Sequence, residues 1–155
     1  MRIRLRPYHP TWIIGFFGLG GMKKGFNKRG FDYVMDAIRR DPDIEVEFVE
    51  EHDDICIRCD RRVPDEGGCV WATDHTCTTA QNPEAVEGVR NANGRILRLL
   101  ELDFGSVVRF QDLVDLLAKR LPDLEKAAIA EAGEGSFQEH YEKGFDTLHA
   151  VWKQP

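Results

Sequence analysis

The chain has 155 residues, 42% of them apolar and 31% charged, a composition that can build one packed core and is too apolar for a disordered chain. A net charge of -6 with a pI near 5.4 argues against a dedicated nucleic-acid binder, and no apolar run approaches the roughly 20 residues that span a bilayer. No apolar helix with a small-residue cleavage site follows the opening Met-Arg-Ile-Arg-Leu-Arg-Pro, so the expectation is a cytoplasmic protein whose thiols stay reduced.

In chain order, Arg2 to Leu5 alternate charged and apolar side chains and read as a short half-buried strand, which Pro7 and Pro10 then interrupt. The stretch Gly15-Phe16-Phe17-Gly18-Leu19-Gly20-Gly21 mixes glycines with large apolar groups, which predicts a buried turn. It lacks both the phosphate-loop and the dinucleotide glycine patterns. Residues 1–40 carry nine Lys/Arg against two acids, and residues 41–155 carry twelve against twenty-five. Such a basic front is expected to meet the protein's own acidic segment.

Asn27 has the character of a helix N-cap, with Phe26 and Phe31 placed as a hydrophobic staple. Phe31, Val34, Met35 and Ile38 keep helical spacing until Asp41-Pro42. From Ile44 to Val49 the chain alternates again, with Ile44, Val46 and Phe48 on one face and Glu45 and Glu47 on the other, which predicts a strand exposed on one side. Beyond the cysteines, Asn82-Pro83-Glu84 opens the longest predicted helix, ending near Leu102. Phe110, Leu113, Val114 and Leu117 mark another, closed before Pro122, and residues 124–132 suit a shorter one. Gly133 and Gly135 precede a capping-box pattern at Ser136 and a final helix spaced by Phe137, Tyr141, Phe145, Leu148 and Trp152.

All four cysteines fall within positions 56–77, as Cys56-x2-Cys59-x9-Cys69-x7-Cys77, in a polar stretch containing Pro64, Gly67 and Gly68. Thiolates that bind zinc or an iron–sulfur cluster must converge on one centre, and a Cys-x-x-Cys turn presents two sulfurs to it while later loops return with the others. Metal binding also explains how a loop poor in aliphatic groups can be ordered, since it contributes about 10–16 kcal/mol in zinc-finger peptides. Disulfides conflict with a reducing compartment, and a redox pair lacks a helix starting at Cys56. Zinc sites commonly use two tight ligand pairs, whereas clusters accept one close pair plus two distant cysteines, so the spacing leans toward an iron–sulfur cluster, with zinc as the alternative. Asp74 and His75 lie beside Cys77 as a replacement ligand or as neighbours of the site.

Leu5-Arg6-Pro7-x-His9, followed by Asp53-Asp54-Ile55-Cys56-x-x-Cys59 and a Cys-rich loop, resembles the bacterial and archaeal family catalogued as domain of unknown function 1284. The resemblance spans about residues 2–120. Phe104-Gly105-x-Val107-x-x-Phe110-x-Asp112-Leu113 is similar to the family's closing helix. It implies iron–sulfur binding without assigning a reaction. Typical members of the family have a second histidine at the position of Tyr8 and a cysteine near Trp12, which this chain lacks. Arg6, Tyr8 and His9 are the next candidates after the cysteines, with Arg6 and His9 the candidates for catalysis. His9 can bind a cluster, transfer a proton, or hydrogen-bond a buried group.

These readings combine into a small α+β fold: a short sheet, several helices, a cysteine-ligated metal loop and a helical C-terminal extension. Residues 1–121 form the metal-binding domain and 122–155 the extension, packed on it or on a partner. The expected function is to bind an iron–sulfur cluster, 4Fe-4S, through Cys56, Cys59, Cys69 and Cys77, in a redox or Lewis-acid role. The alternative is a structural zinc-binding interaction subunit. The expected partner is a redox or other protein partner, with no membrane.

Overall fold

The computed structural model describes residues 1–21, 28–50, 52–58, 62–63, 68–69, 83–120, 123 and 138–153. The fold is α+β, with five helices and a small three-stranded sheet among the described residues. Strand β1 (Arg2–Leu5) pairs in parallel with β2 (Glu45–Phe48), in a register that sets Arg2 opposite Glu45 and Leu5 opposite Phe48. Parallel neighbours need a long crossover. Here it contains helices α1 (His9–Leu19) and α2 (Lys28–Arg40).

The alternation expected of β2 holds: Ile44, Val46 and Phe48 are fully buried, while Glu45 and Glu47 lie at intermediate exposure. A third strand, β5 (Val107–Arg109), pairs antiparallel with β2, which makes β2 the central strand. It is three residues long and turns only the partly buried Val108 to the core, so its alternation is too short to carry a signal. It runs straight into α4 (Phe110–Lys119), whose first N–H donates to the Ile44 carbonyl at 2.8 Å.

Helix α1 corrects the expected buried turn. Pro10 lies in its first turn, where a backbone N–H has no helical partner to lose. Gly20, with φ 78°, ends it: the Gly20 and Gly21 N–H groups donate to the Phe17 and Phe16 carbonyls. Nine of its eleven residues are buried. A helix covered on all sides has no polar stripe, so it leaves no helical period in the sequence.

Helix α5 (Gln138–Trp152) lies directly on α1. Gly144 permits this, because a Cβ there would stand 2.1 Å from the Ile14 carbonyl oxygen. Tyr141, Phe145 and Leu148 of α5 are buried, and the Trp152 indole N–H donates to the Ile38 carbonyl at 3.2 Å. Helix α3 (Pro83–Leu100) is the longest described, and it adds Ile96, Leu97 and Leu100 to the core. The two-residue strands β3 (Arg62–Val63) and β4 (Gly68–Cys69) form an antiparallel pair within the cysteine segment. Asn27, residues 124–132, Gly133, Gly135 and Ser136 lie outside the described residues.

Candidate functional site

The site forms where the end of β1 meets the segment that leaves β2. Residues 53 and 54 run along the outer edge of β1: Arg4 N–H donates to Asp54 at 2.6 Å, Asp54 N–H to the Arg4 carbonyl at 3.0 Å, and Arg6 N–H to Asp53 Oδ2 at 2.8 Å. This pairing covers an edge that would otherwise expose backbone donors. It also draws the Cys56 turn against the start of α1.

Asp53 organises that turn. Its Oδ1 accepts the N–H groups of Ile55 and Cys56, both at 3.0 Å, and its carbonyl accepts Ile57 N–H at 3.0 Å. An aspartate just ahead of a turn caps it in this way. The result is a single 3-10 turn at Cys56–Arg58 with Cys56 at its first position, buried. Arg58 holds the other end, bonding Asp54 and lying over the Tyr33 ring of α2 at 3.5 Å from its centroid.

His9 enters from the first position of α1, and its Nδ1 bonds Asp53 Oδ2. Both side chains are buried, with relative exposures of 4% and 0%. The rings of Tyr8, Trp12 and Phe31 surround His9 at centroid distances of 4.3, 5.9 and 5.5 Å. Tyr8 is held in turn by the buried Asn93 of α3, whose side-chain oxygen accepts the Tyr8 N–H at 3.2 Å. One ligand-capable atom from each of His9, Asp53 and Cys56 lies within 4.8 Å of the others.

Arg6 completes the cluster and is only 2% exposed. Burial opposes its charge, but Tyr8, Cys56 and Asp53 around it outweigh that penalty and hold the guanidinium more firmly protonated than usual. For Asp53, too, burial disfavours the charge. The charge and hydrogen bond of His9, the Arg6 N–H and the Arg6 guanidinium prevail, and the carboxyl is held well below the usual carboxylate range.

The structure therefore brings together four of the residues singled out in the sequence, Arg6, Tyr8, His9 and Cys56, and adds Asp53, which enters the sequence reading only as part of a motif. An aspartate three positions before the first cysteine of a Cys-x-x-Cys turn was the available signal. Cys59, Cys77 and His75 lie outside the described residues, and Cys69 is placed by its backbone in β4, paired with Arg62.

Chemically, a buried thiol and imidazole beside a carboxylate can act in two ways. They can ligate a thiophilic metal or cluster, or they can serve as nucleophile, base and orienting group. In either use, the aspartate fixes the imidazole and the arginine balances a thiolate.

The profile of one family, described as "Protein of unknown function (DUF1284)", matches residues 21–132. The chain belongs to this family. The matched span contains Asp53 and all four cysteines, whereas Arg6 and His9 lie before it. No curated protein matches, and no solved structure matches.

Proposed function

We propose that this protein binds an inorganic cofactor, an iron–sulfur cluster, through Cys56 and its companion cysteines Cys59, Cys69 and Cys77. The observation that carries the reading is the setting of Cys56. Its thiol is buried at the head of a capped turn, beside an imidazole and a guanidinium, and it is the first cysteine of the Cys-x-x-Cys pair.

The donor set fits such a group. Thiolates and imidazole are the ligands of zinc and of iron–sulfur centres, and the negative charge that several thiolates concentrate needs a nearby cation. Arg6 supplies that cation from a buried position. The Asp53 hydrogen bonds to the N–H groups of residues 55 and 56 pre-form the first turn, which lowers the entropy that ligation must offset. A bound cluster would supply electron transfer or Lewis acidity, whereas zinc would supply a crosslink. The residues of this chain would hold the turn, balance charge through Arg6, and carry a proton or a ligand bond at His9.

Anaerobic purification tests the reading. The expected result is brown protein containing iron and acid-labile sulfide, with both lost in Cys56→Ser. Colourless protein with one zinc per chain would replace the cluster with the zinc alternative. Protein with neither, reconstituting with neither, would overturn the proposal.

A further inference from the structure

We infer that His9 joins the ligand set through Nε2, while Asp53 positions it and binds no metal itself. This inference rests on the cofactor reading above and revises its four ligands to a mixed imidazole–thiolate set, in which His9 takes the place of one of the companion cysteines of Cys56.

Of the three clustered groups, Asp53 looks at first like an equal candidate. Its acceptor capacity is already committed, however. An ionised carboxylate offers about four lone-pair sites, and Asp53 accepts from the N–H groups of Arg6, Ile55 and Cys56 and from the His9 ring. Ligation by Asp53 would break contacts that build the turn and fix its register on β1.

His9 stands differently. Among the described residues, the one hydrogen bond of its ring is that of Nδ1 to Asp53. Both Asp53 oxygens already accept backbone N–H groups, so the Nδ1 that meets Oδ2 is a donor, and Nε2 is the ring atom left to offer a lone pair to a metal. Tyr8, Trp12 and Phe31 pack around the ring, and the side chain is 96% buried, as its 4% exposure states. A metal-binding histidine characteristically gives its other N–H to a carboxylate, which orients the ring and raises its basicity. One ring nitrogen of His9 lies within 4.8 Å of the Cys56 sulfur, which sets the imidazole and the thiol side by side.

The test is nitrogen-15 NMR of histidine side chains in full-length, metal-free protein kept under reducing conditions, before and after addition of zinc alone. Before zinc, Nδ1 of His9 should carry the proton that faces Asp53. On binding, its Nε2 resonance should shift while Nδ1 keeps its proton, and Asp53→Asn should weaken zinc binding about 10–100-fold. That variant presents an amide N–H to the ring and reverses the tautomer. Zinc binding that depends on Cys56 but leaves both His9 nitrogens unmoved, or that metallates Nδ1, would overturn the assignment and leave the cofactor reading standing. Absence of zinc binding altogether would overturn the assignment of His9, while the cofactor reading would stand or fall on the iron, sulfide and zinc content of the anaerobically purified protein. The decisive spectrum is that of the unmodified chain, so the test stands even where Asp53→Asn fails to fold.

Discussion

Asp53 accepts four hydrogen bonds from a side chain with no solvent exposure, and three of the donors are backbone groups from two separate segments. Its removal would leave those N–H groups and the His9 ring buried without their acceptor, and the Arg6 guanidinium without a neighbouring negative charge. Breaking a buried ion pair by deleting one partner costs about 3–5 kcal/mol, and Asp53→Ala is expected to lose that much in denaturant unfolding. Acid provides a second check. The folded state holds the Asp53 carboxyl below its ordinary value of 3.8, so the unfolded chain takes up a proton where the native one does not. The stability from this group is complete above about pH 5 and drains away as pH falls through the acid range. Between about pH 5 and pH 3, wild type should therefore lose stability more steeply than Asp53→Asn; equal slopes would remove the carboxylate from this role. Arg6, His9 and Cys56 were legible as candidates because they stand out by type and setting. Asp53 was not, because an aspartate in an acidic run looks like solvated surface until the fold buries it.

The elements differ in how they can be read. Helix α2 announces itself through an apolar stripe at Phe31, Val34, Met35 and Ile38, all buried as the spacing requires. Helix α1 is hidden by the fact that α5 covers what would have been its solvent face. The contact between these two helices rests on the missing side chain of Gly144. Gly144→Ala would drive a methyl into the Ile14 carbonyl, and since backbone cannot step aside as a flexible side chain can, a cost of about 1–3 kcal/mol is expected. A stabilising or neutral Gly144→Ala would mean that the helices do not meet this way. Leu148 is fully buried on the same helix, so Leu148→Ala should cost about 2–5 kcal/mol in the same unfolding experiment. A loss below about 0.5 kcal/mol, the scale of surface substitutions, would show α5 undocked. The strand β5 escaped the sequence reading for the opposite reason: an edge strand of three residues, with Val108 alone packed partly on the core, is too short to hold a pattern.

At the scale of the molecule, the basic front of the chain meets residues 41–54. The N-terminal amine pairs with Asp41 and Arg2 with Glu45, both at 3.0 Å, and His9 pairs with Asp53. The two exposed pairs contribute little to stability, whereas the buried pair sets the geometry of the site. No helix among the described residues is long and apolar enough to cross a membrane. The end of β1, the start of α1 and the turn at Cys56 meet at one corner, and that corner holds the donors suited to a metal. The α+β class and four of the five described helices were legible in the sequence, because local periodicity reports them. The assembly of the site was not, because it depends on residues some 44 positions apart, His9 and Asp53, meeting across a parallel strand pair.

The proposed role of this corner is to hold an inorganic centre. Elemental analysis of the full-length protein purified without oxygen tests it most directly, by counting iron, sulfide and zinc per chain. Iron with matching sulfide, absent from Cys56→Ser, is the expected result; a folded wild-type protein carrying no metal, and taking up none when iron, sulfide or zinc is offered, would contradict it.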